Sequence, residues 1–147
     1  MADFDLIPHR TALINLDMQN CFVEGSPISA PEGLVVLDRI NRVAEACRCA
    51  GILVIHTSHV LRPDGSNIGV LGEIAPIAKS GIINKGSQSA ALRKGLTVDA
   101  HDVLLDKPRF GSFHGITVTS SSAESRNKKC NRQDSSPVIS YRSARSA

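Results

Sequence analysis

The chain has 147 residues, of which 41% are hydrophobic and 21% are charged, and its formal net charge is +3 at pH 7. This length suits one domain with a sizeable core. No apolar run approaches the ~20 residues of a membrane helix and no leader pattern precedes the first elements, so we expect a cytoplasmic protein without a membrane partner. The four cysteines show neither disulfide-scaffold density nor zinc spacing.

The positive charge is concentrated near the C-terminal end. Residues 120–147 hold six Lys or Arg against two acids, a net +4, which leaves residues 1–119 at −1. We therefore predict a folded body over 1–119 and a disordered Ser/Arg/Lys-rich tail over 120–147. The body has no basic surface for nucleic acid, so we do not expect nucleic acid as a partner. Electrostatic binding of an anionic polymer by the tail stays open.

The first predicted strand is Thr11–Leu16, which is almost continuously apolar, as is typical of a parallel strand covered on both faces. It delivers Asp17 at its carboxyl end, where ligands bind in open α/β sheets. Asp17 is therefore a candidate catalytic acid. From this stretch alone, a turn or helix cap explains Asp17 equally well.

A helix and a second strand follow the first strand. Apolar residues at three- and four-residue steps predict a helix over about Gly33–Ala50, and Gly51 ends it. Ile52–His56 is again apolar and predicts the second strand. A strand, a helix and a strand in this order indicate a βαβ unit with parallel strands.

The next part of the chain is polar and turn-rich over about residues 59–72. It predicts a short helical turn over Leu71–Ala78, interrupted by Pro76, and a short helix over Ser87–Lys94. Asp102–Asp106 predicts the third strand, which Lys107 and Pro108 end.

Two charged residues thus stand at predicted strand ends. Asp17 follows the first strand and Lys107 follows the third. In one sheet they can pair, each favouring the charged form of the other. Such a pair can hold a base or steady an anionic nucleophile, and a structural ion pair is the equal alternative.

The histidines and cysteines do not form a metal or redox motif. His56 and His59 are three apart across a strand end, so we assign them structural or merely polar roles. Cys21 could line a pocket, but no base stands near it at the spacing of a catalytic triad. The sequence calls for no cofactor.

Three stretches, taken in order, resemble one family: TALINLDMQNCFVEGSP, AGILVIHTSHVLRPDGSNIG and VLLDKPRFGSFHG. Together they resemble the isochorismatase-like cysteine hydrolases, which include nicotinamidases and N-carbamoylsarcosine amidases, over roughly residues 8–115. The resemblance implies a doubly wound, Rossmann-like α/β sheet, of which this chain holds the three-stranded N-terminal half with flanking helices. It also implies a small-molecule substrate, an Asp–Lys–Cys catalytic set and a homo-oligomer.

The resemblance also implies roles for particular residues. Asp17 would be the general base and Lys107 the essential lysine. The candidates for the substrate pocket are Gln19, Cys21, Phe22, Arg109, Phe110 and Phe113.

One departure from the family concerns the nucleophile. The family's nucleophilic cysteine lies on a later strand in a small-residue motif, which Cys130 in KKCNRQD does not match. We therefore expect a chain truncated before the nucleophile, with an out-of-register tail after about residue 115, and a frameshift is our hypothesis for its cause. The predicted function is a hydrolase for a small amide or vinyl ether, inactive or impaired in this chain. The alternative is a non-catalytic partner subunit or pseudoenzyme that pairs through an exposed first strand.

Overall fold

The computed structural model describes residues 5–112. They form a parallel sheet of three strands, β1 (Ala12–Leu16), β2 (Leu53–His59) and β3 (Val103–Lys107). The order across the sheet is β1-β2-β3. The predicted α/β class with a parallel sheet is confirmed, and the predictions made for the tail lie outside the described residues.

Short helices and one long helix connect the strands. They are α1 (Asn20–Val23), α2 (Gly33–Cys49) and α3 (Leu71–Ile74), with 3-10 turns at Pro8–Arg10 and Pro76–Ser80. In the part of the chain that the structure describes, no helix is both long and apolar enough to cross a membrane.

Helix α2 packs on one face of the sheet and forms the main core there. Its apolar face meets the inward side chains of β1 and β2, because residues at helical spacing point the same way. The buried members of this cluster are Leu13, Ala44, Cys47, Ile52 and Val54. Gly51 ends the connection with φ of 74°, a left-handed conformation that glycine adopts without steric cost.

The opposite face of the sheet is more open than the sequence predicted. Leu13 and Asn15 of β1 are buried, whereas the Leu16 side chain is 56% exposed. Ala12 and Ile14 on the same face as Leu16 are half-buried, so within residues 5–112 the predicted burial of both faces is met only in part. The strand order also leaves β1 at the edge of the described sheet.

A buried polar network ties α2 to the sheet. Arg48 of α2 donates from Nε to Asp102 Oδ1 at 3.0 Å, and Asp102 Oδ2 lies 3.0 Å from His56 Nε2. His56 Nδ1 in turn lies 3.3 Å from the Asn15 side-chain amide. Hydrogen bonds to ionised groups are stronger than neutral ones. The network therefore holds the start of β3 against both β1 and α2.

The helix predicted over Ser87–Lys94 is wrong. This segment runs as turns and pairs with the chain just after β1 through an isolated antiparallel bridge between Gln19 and Leu92. Two amides of α1 also donate to it at 2.9 Å, Asn20 to Ala91 and Cys21 to Ser89. These long-range hydrogen bonds satisfy the backbone groups that a helix would have paired locally.

Candidate active site

The centre of the site is an ion pair between two strand ends. Lys107 Nζ lies 2.7 Å from Asp17 Oδ2, where β1 and β3 end at the same edge of the sheet. The Lys107 side chain is 1% exposed and the Asp17 side chain 25%. The structure thus brings together the two residues that the sequence placed at strand ends. The lysine is the buried member of the pair and the acid is the one that solvent reaches.

The backbone and a neighbouring hydroxyl orient Asp17. Its φ is 58°, the left-handed region that a residue other than glycine rarely adopts. Its amide donates to the Thr57 carbonyl at 3.0 Å, and Thr57 Oγ1 donates to Asp17 Oδ1 at 2.9 Å. A carboxylate can accept about four hydrogen bonds. Asp17 therefore keeps acceptor capacity for a group that enters from its exposed side.

The Lys107 ammonium is fully engaged by oxygen atoms. Besides Asp17, it donates to the carbonyls of Arg109 at 3.3 Å and Phe110 at 3.2 Å. An ammonium has three N–H donors, and each has a partner here. Lys107 consequently fixes both the carboxylate and the chain that follows β3.

A cavity of about 300 Å³ opens beside Asp17. Most of its wall is apolar, and Asp17 and His59 are its polar side chains. The lining residues are Leu16, Asp17, Met18, Phe22, Val23, Ala30, Gly33, Val36, His59 and Phe110. Its size and lining are those of a small-molecule site with few convergent polar groups.

His59 contributes a group that the sequence reasoning did not assign to the site. Its side chain lines the cavity, the residue is only 3% exposed, and its ring lies edge-on to Phe110 with a centroid distance of 5.5 Å. Burial lowers the pKa of His59, and the charge of Lys107 lowers it further. The pairing of the strands could have indicated this position, because a second strand that continues to His59 places His59 opposite Lys107 of β3.

Gln19 lies next to the carboxyl end of β2 and does not line the cavity. Its side-chain amide donates to the carbonyls of His59 at 3.1 Å and Ala90 at 2.6 Å, and its Oε1 accepts from the His59 amide at 2.7 Å. Gln19 is completely buried. It pairs with His59 as a neighbouring strand would, so it fixes the carboxyl end of β2.

Cys21 and Phe22 follow Gln19 and point to different surroundings. Cys21 is buried in an apolar cluster with Leu61 and Leu71 and is not among the residues that line the cavity. Burial is the main cause that raises the pKa of its thiol to about 11. Phe22, in contrast, lines the cavity. The Cys21 thiol therefore stays protonated at neutral pH, which is the wrong state for a nucleophile.

The predicted residues after β3 also separate. Arg109 is exposed and donates to the Asn67 carbonyl at 3.0 Å. This bond joins the turn-rich segment of residues 59–72 to the end of β3. Phe110 is 66% exposed and lines the cavity. Phe113 lies outside the described residues. Within residues 5–112, no three His, Cys, Asp or Glu side chains are grouped closely enough to hold a metal ion.

Comparison with known proteins identifies a matching family model. The model, described as the isochorismatase domain, matches residues 11–130. The match begins at the first strand and extends past residue 115, where the three stretches quoted above end.

Similar proteins and structures were also found. Ureidoacrylate amidohydrolase RutB of Methylorubrum extorquens is 29% identical, over 75% of this chain and 52% of the relative. A probable inactive nicotinamidase of Arabidopsis thaliana is 31% identical, over 76% of this chain and 58% of the relative. The crystal structure of a cysteine hydrolase from Pseudomonas syringae pv. phaseolicola 1448A has a TM-score of 0.71 and 27% identity, covering 77% of this chain and 53% of that one. The chain thus spans about half the length of the relatives it matches.

Proposed function

We propose, from the premise that the chain belongs to the isochorismatase domain family, that Asp17 and Lys107 are the acid and the lysine of a hydrolase site for a small amide. The observation that carries the proposal is the 2.7 Å contact between Lys107 Nζ and Asp17 Oδ2 at the mouth of an apolar cavity. The similarity to an enzyme named ureidoacrylate amidohydrolase supports an amide as the substrate class.

The proposed roles follow from the chemistry of the pair. In the complete site that the family implies, Asp17 takes the proton from the thiol of the nucleophilic cysteine, and the charge of Lys107 stabilises the thiolate that forms. The thiolate adds to the amide carbonyl, Asp17 returns the proton to the nitrogen so that the neutral amine leaves, and water then hydrolyses the thioester. A vinyl-ether substrate is the alternative, because an acid alone can assist its cleavage.

The described residues support a further part of the proposal, which is that this chain has little or no amidase turnover by itself. Cys21 is buried with a pKa of about 11, and Cys47 lies in the core beneath α2. Neither of these thiols lines the cavity beside Asp17. Cys130 lies outside the described residues, in a stretch that does not resemble the family's nucleophile motif.

The test is an assay of ammonia release from ureido and carboxamide substrates by the 147-residue chain. We expect no turnover above the buffer rate. Robust turnover that Asp17→Asn or Lys107→Ala abolishes, and that Cys130→Ser leaves intact, would prove the proposed inactivity wrong while upholding the roles of the pair. Turnover that neither substitution changes would contradict the proposed roles themselves.

A second candidate function is favoured by the position of β1. In the described sheet β1 is an edge strand, and its last residue, Leu16, is 56% exposed. An apolar edge with unpaired backbone groups pairs readily with another chain. The second candidate is therefore a non-catalytic subunit that pairs through β1.

Analytical ultracentrifugation tests this second candidate. We expect a concentration-dependent oligomer that Leu16→Lys weakens, because a charge on the edge opposes strand pairing. Val70→Lys is the matched control, since Val70 is exposed and lies outside the sheet. A monomer at all concentrations would exclude the candidate.

A further inference from the structure

We propose that His56 is a positioning residue, which sets the register of β1 against β2 and so brings Asp17 to Lys107. The register is the set of residues that lie opposite each other on two neighbouring strands. The inference deepens the proposed function, on which it rests for the roles of Asp17 and Lys107. It concerns how that pair is assembled and not what the pair binds.

The apolar pattern of the strands fixes the register only to within two residues. In the structure Leu13 of β1 lies opposite Val54 of β2. A shift by one residue would turn the buried side chains of β1 to the open face of the sheet. A shift by two residues keeps every side chain on its own face and sets Leu13 opposite Ile52, which is also buried and apolar. Hydrophobic burial alone therefore does not choose between these two registers.

The buried polar side chains can form their bonds in one register only. His56 is 1% exposed, and its Nδ1 lies 3.3 Å from the side-chain amide of Asn15, which is 5% exposed. A shift of β1 by two residues moves Asn15 about 7 Å from His56 and breaks this bond. Each buried group left unpaired lowers the population of the shifted state by about tenfold or more. With both groups unpaired, the shifted register is disfavoured by about a hundredfold.

The other end of the network fixes His56 itself. His56 Nε2 lies 3.0 Å from Asp102 Oδ2, and Arg48 of α2 holds Asp102 from the other side through its Nε. The Asp102 side chain is 2% exposed, so this anchor is as buried as the histidine. The imidazole is thus held at both nitrogens, by β1 on one side and by the start of β3 on the other.

The hydrogen bonds of Gln19 do not select a register in this way. Gln19 also joins the region after β1 to β2, but there it bonds to the backbone of His59. Backbone N–H and C=O groups recur at every residue, so equivalent bonds can form two residues farther along the strand. The bond between Asn15 and His56 joins two side chains and is specific to them.

The register decides whether the site is assembled. Asp17 directly follows β1, and its carboxylate is bonded to Lys107 at 2.7 Å and to the Thr57 hydroxyl at 2.9 Å. A displacement of about 7 Å along the strand removes both contacts. His56 does not line the cavity, and its side chain points to the opposite face from that of its neighbour Thr57. It therefore acts through the strands and not by touching a ligand.

The experiment reads the register by NMR in the full 147-residue chain labelled with ¹³C and ¹⁵N. Cross-strand nuclear Overhauser contacts of Ile14 report it, because Ile14 lies opposite Ile55 in the structure and would lie opposite Leu53 or Thr57 after a shift by two. Four chains are compared. They are the wild type, a pair variant (Asp17→Asn with Lys107→Met), a network variant (Asn15→Val with His56→Leu) and the combination of both variants.

The network variant is designed to keep the fold. It replaces both polar partners by apolar side chains, a change that can be nearly neutral for stability. Asp102 keeps its hydrogen bonds from Arg48 and from the Asp99 amide, so the substitutions leave its carboxylate paired. The pair variant removes the ion pair as a competing source of register.

We expect the wild type and the pair variant to show the Ile14 contact to Ile55 alone, because both keep the network. The combined variant should show a second set of contacts, from Ile14 to Leu53 or Thr57, in about a tenth of the molecules or more. In the network variant, Lys107 Nζ should give a second ¹⁵N signal from molecules in which the ion pair has separated. A loss of stability alone would produce neither signal in the folded protein.

His56→Gln is the matched control. A glutamine amide keeps a donor for Asp102 and an acceptor for Asn15, so it should preserve the single register in the wild type and in the pair variant. A second set of contacts in His56→Gln, with the two side-chain bonds retained, would overturn the inference.

The remaining outcomes are also decisive. Two registers in the pair variant alone would show that the ion pair sets the register, and one register in the combined variant would show that the apolar pattern suffices. Either result overturns the inference. So does a combined variant that fails to fold while the pair variant folds, because the network would then supply stability and not register.

If the pair variant does not fold, the wild type and the network variant decide, and a single register with one Lys107 signal in both overturns the inference. None of these results depends on turnover, so they leave the proposed roles of Asp17 and Lys107 to the ammonia assay.

Discussion

At the scale of single residues, Asp17 combines a strained backbone with a buried ionic partner. Its φ of 58° costs a residue with a Cβ roughly 1 kcal/mol. The same carboxylate neutralises Lys107, whose side chain is 1% exposed. Strained positions persist where the surrounding contacts fix them, and these cluster at functional sites.

We predict that Asp17→Ala lowers the free energy of unfolding by about 3 kcal/mol, because it leaves the buried ammonium of Lys107 without its partner and keeps the strained φ. Asp17→Gly removes the same partner but tolerates the backbone, so it should cost about 1 kcal/mol less. Urea denaturation of both variants measures the two contributions. Equal values for Ala and Gly would show that the φ carries no strain.

His59 makes stability depend on pH. Burial and then the charge of Lys107 lower its pKa in the folded protein. The unfolded chain takes up a proton first as the pH falls through about 6.5. The contribution of His59 to the free energy of unfolding is therefore complete above that pH and declines as the pH falls toward the folded value.

Urea denaturation from about pH 7.5 down to about pH 5 tests this dependence. We expect His59→Gln to remove part of the loss of stability on acidification. His101→Gln is the control, because His101 lies exposed in a surface turn. The same pH slope in the wild type and in His59→Gln would contradict the prediction.

At the scale of elements, the start of α2 depends on a close backbone contact. A Cβ at Gly33 would overlap the backbone of Val23 in α1, with the Val23 Cα only 2.8 Å away. Helix propensity alone would favour alanine at this position by about 1 kcal/mol. We expect the overlap to outweigh this gain, so that alanine lowers the free energy of unfolding, because backbone atoms cannot move aside as a flexible side chain can.

We predict that Gly33→Ala destabilises the protein by about 2 kcal/mol through overpacking. Gly111→Ala is the matched control, because no atom lies within 4 Å of its added Cβ. The control should stay within about 0.5 kcal/mol of the wild type. Thermal unfolding followed by circular dichroism measures both variants. Stabilisation by Gly33→Ala would mean that α1 and α2 are farther apart than described.

The elements show where sequence reasoning succeeds and where it fails. Apolar periodicity predicted α2 and the three strands, because their residues pack mainly by pattern. It missed the last three residues of β2, since Thr57 and His59 are polar residues buried at the site. It also predicted a helix at Ser87–Lys94, where pairing with the residues after β1 decides the backbone. Long-range pairing of this kind overrides local propensity.

At the scale of the whole molecule, the pairing of Asp17 with Lys107 could be predicted because parallel strands end at one edge of the sheet. The place of His59 was missed because the apolar pattern ended the predicted second strand at His56, whereas β2 continues to His59. Gln19 could not be separated from the cavity wall by sequence either. Its hydrogen bonds to the His59 backbone appear only once residues 40 positions apart are brought together.

The three hydrogen bonds of Lys107 have a consequence for its chemical reactivity. Its ammonium is held by Asp17 and by the carbonyls of Arg109 and Phe110, and it is shielded from solvent. A free amine reacts with an acylating reagent by attacking its carbonyl carbon, so Lys107 should label only when the strand ends separate. Mass-spectrometric labelling should find Lys107 far slower than the exposed Lys85, with a rate that follows the fraction of opened molecules in urea. Lys107 thereby serves as a built-in reporter of whether the site is assembled.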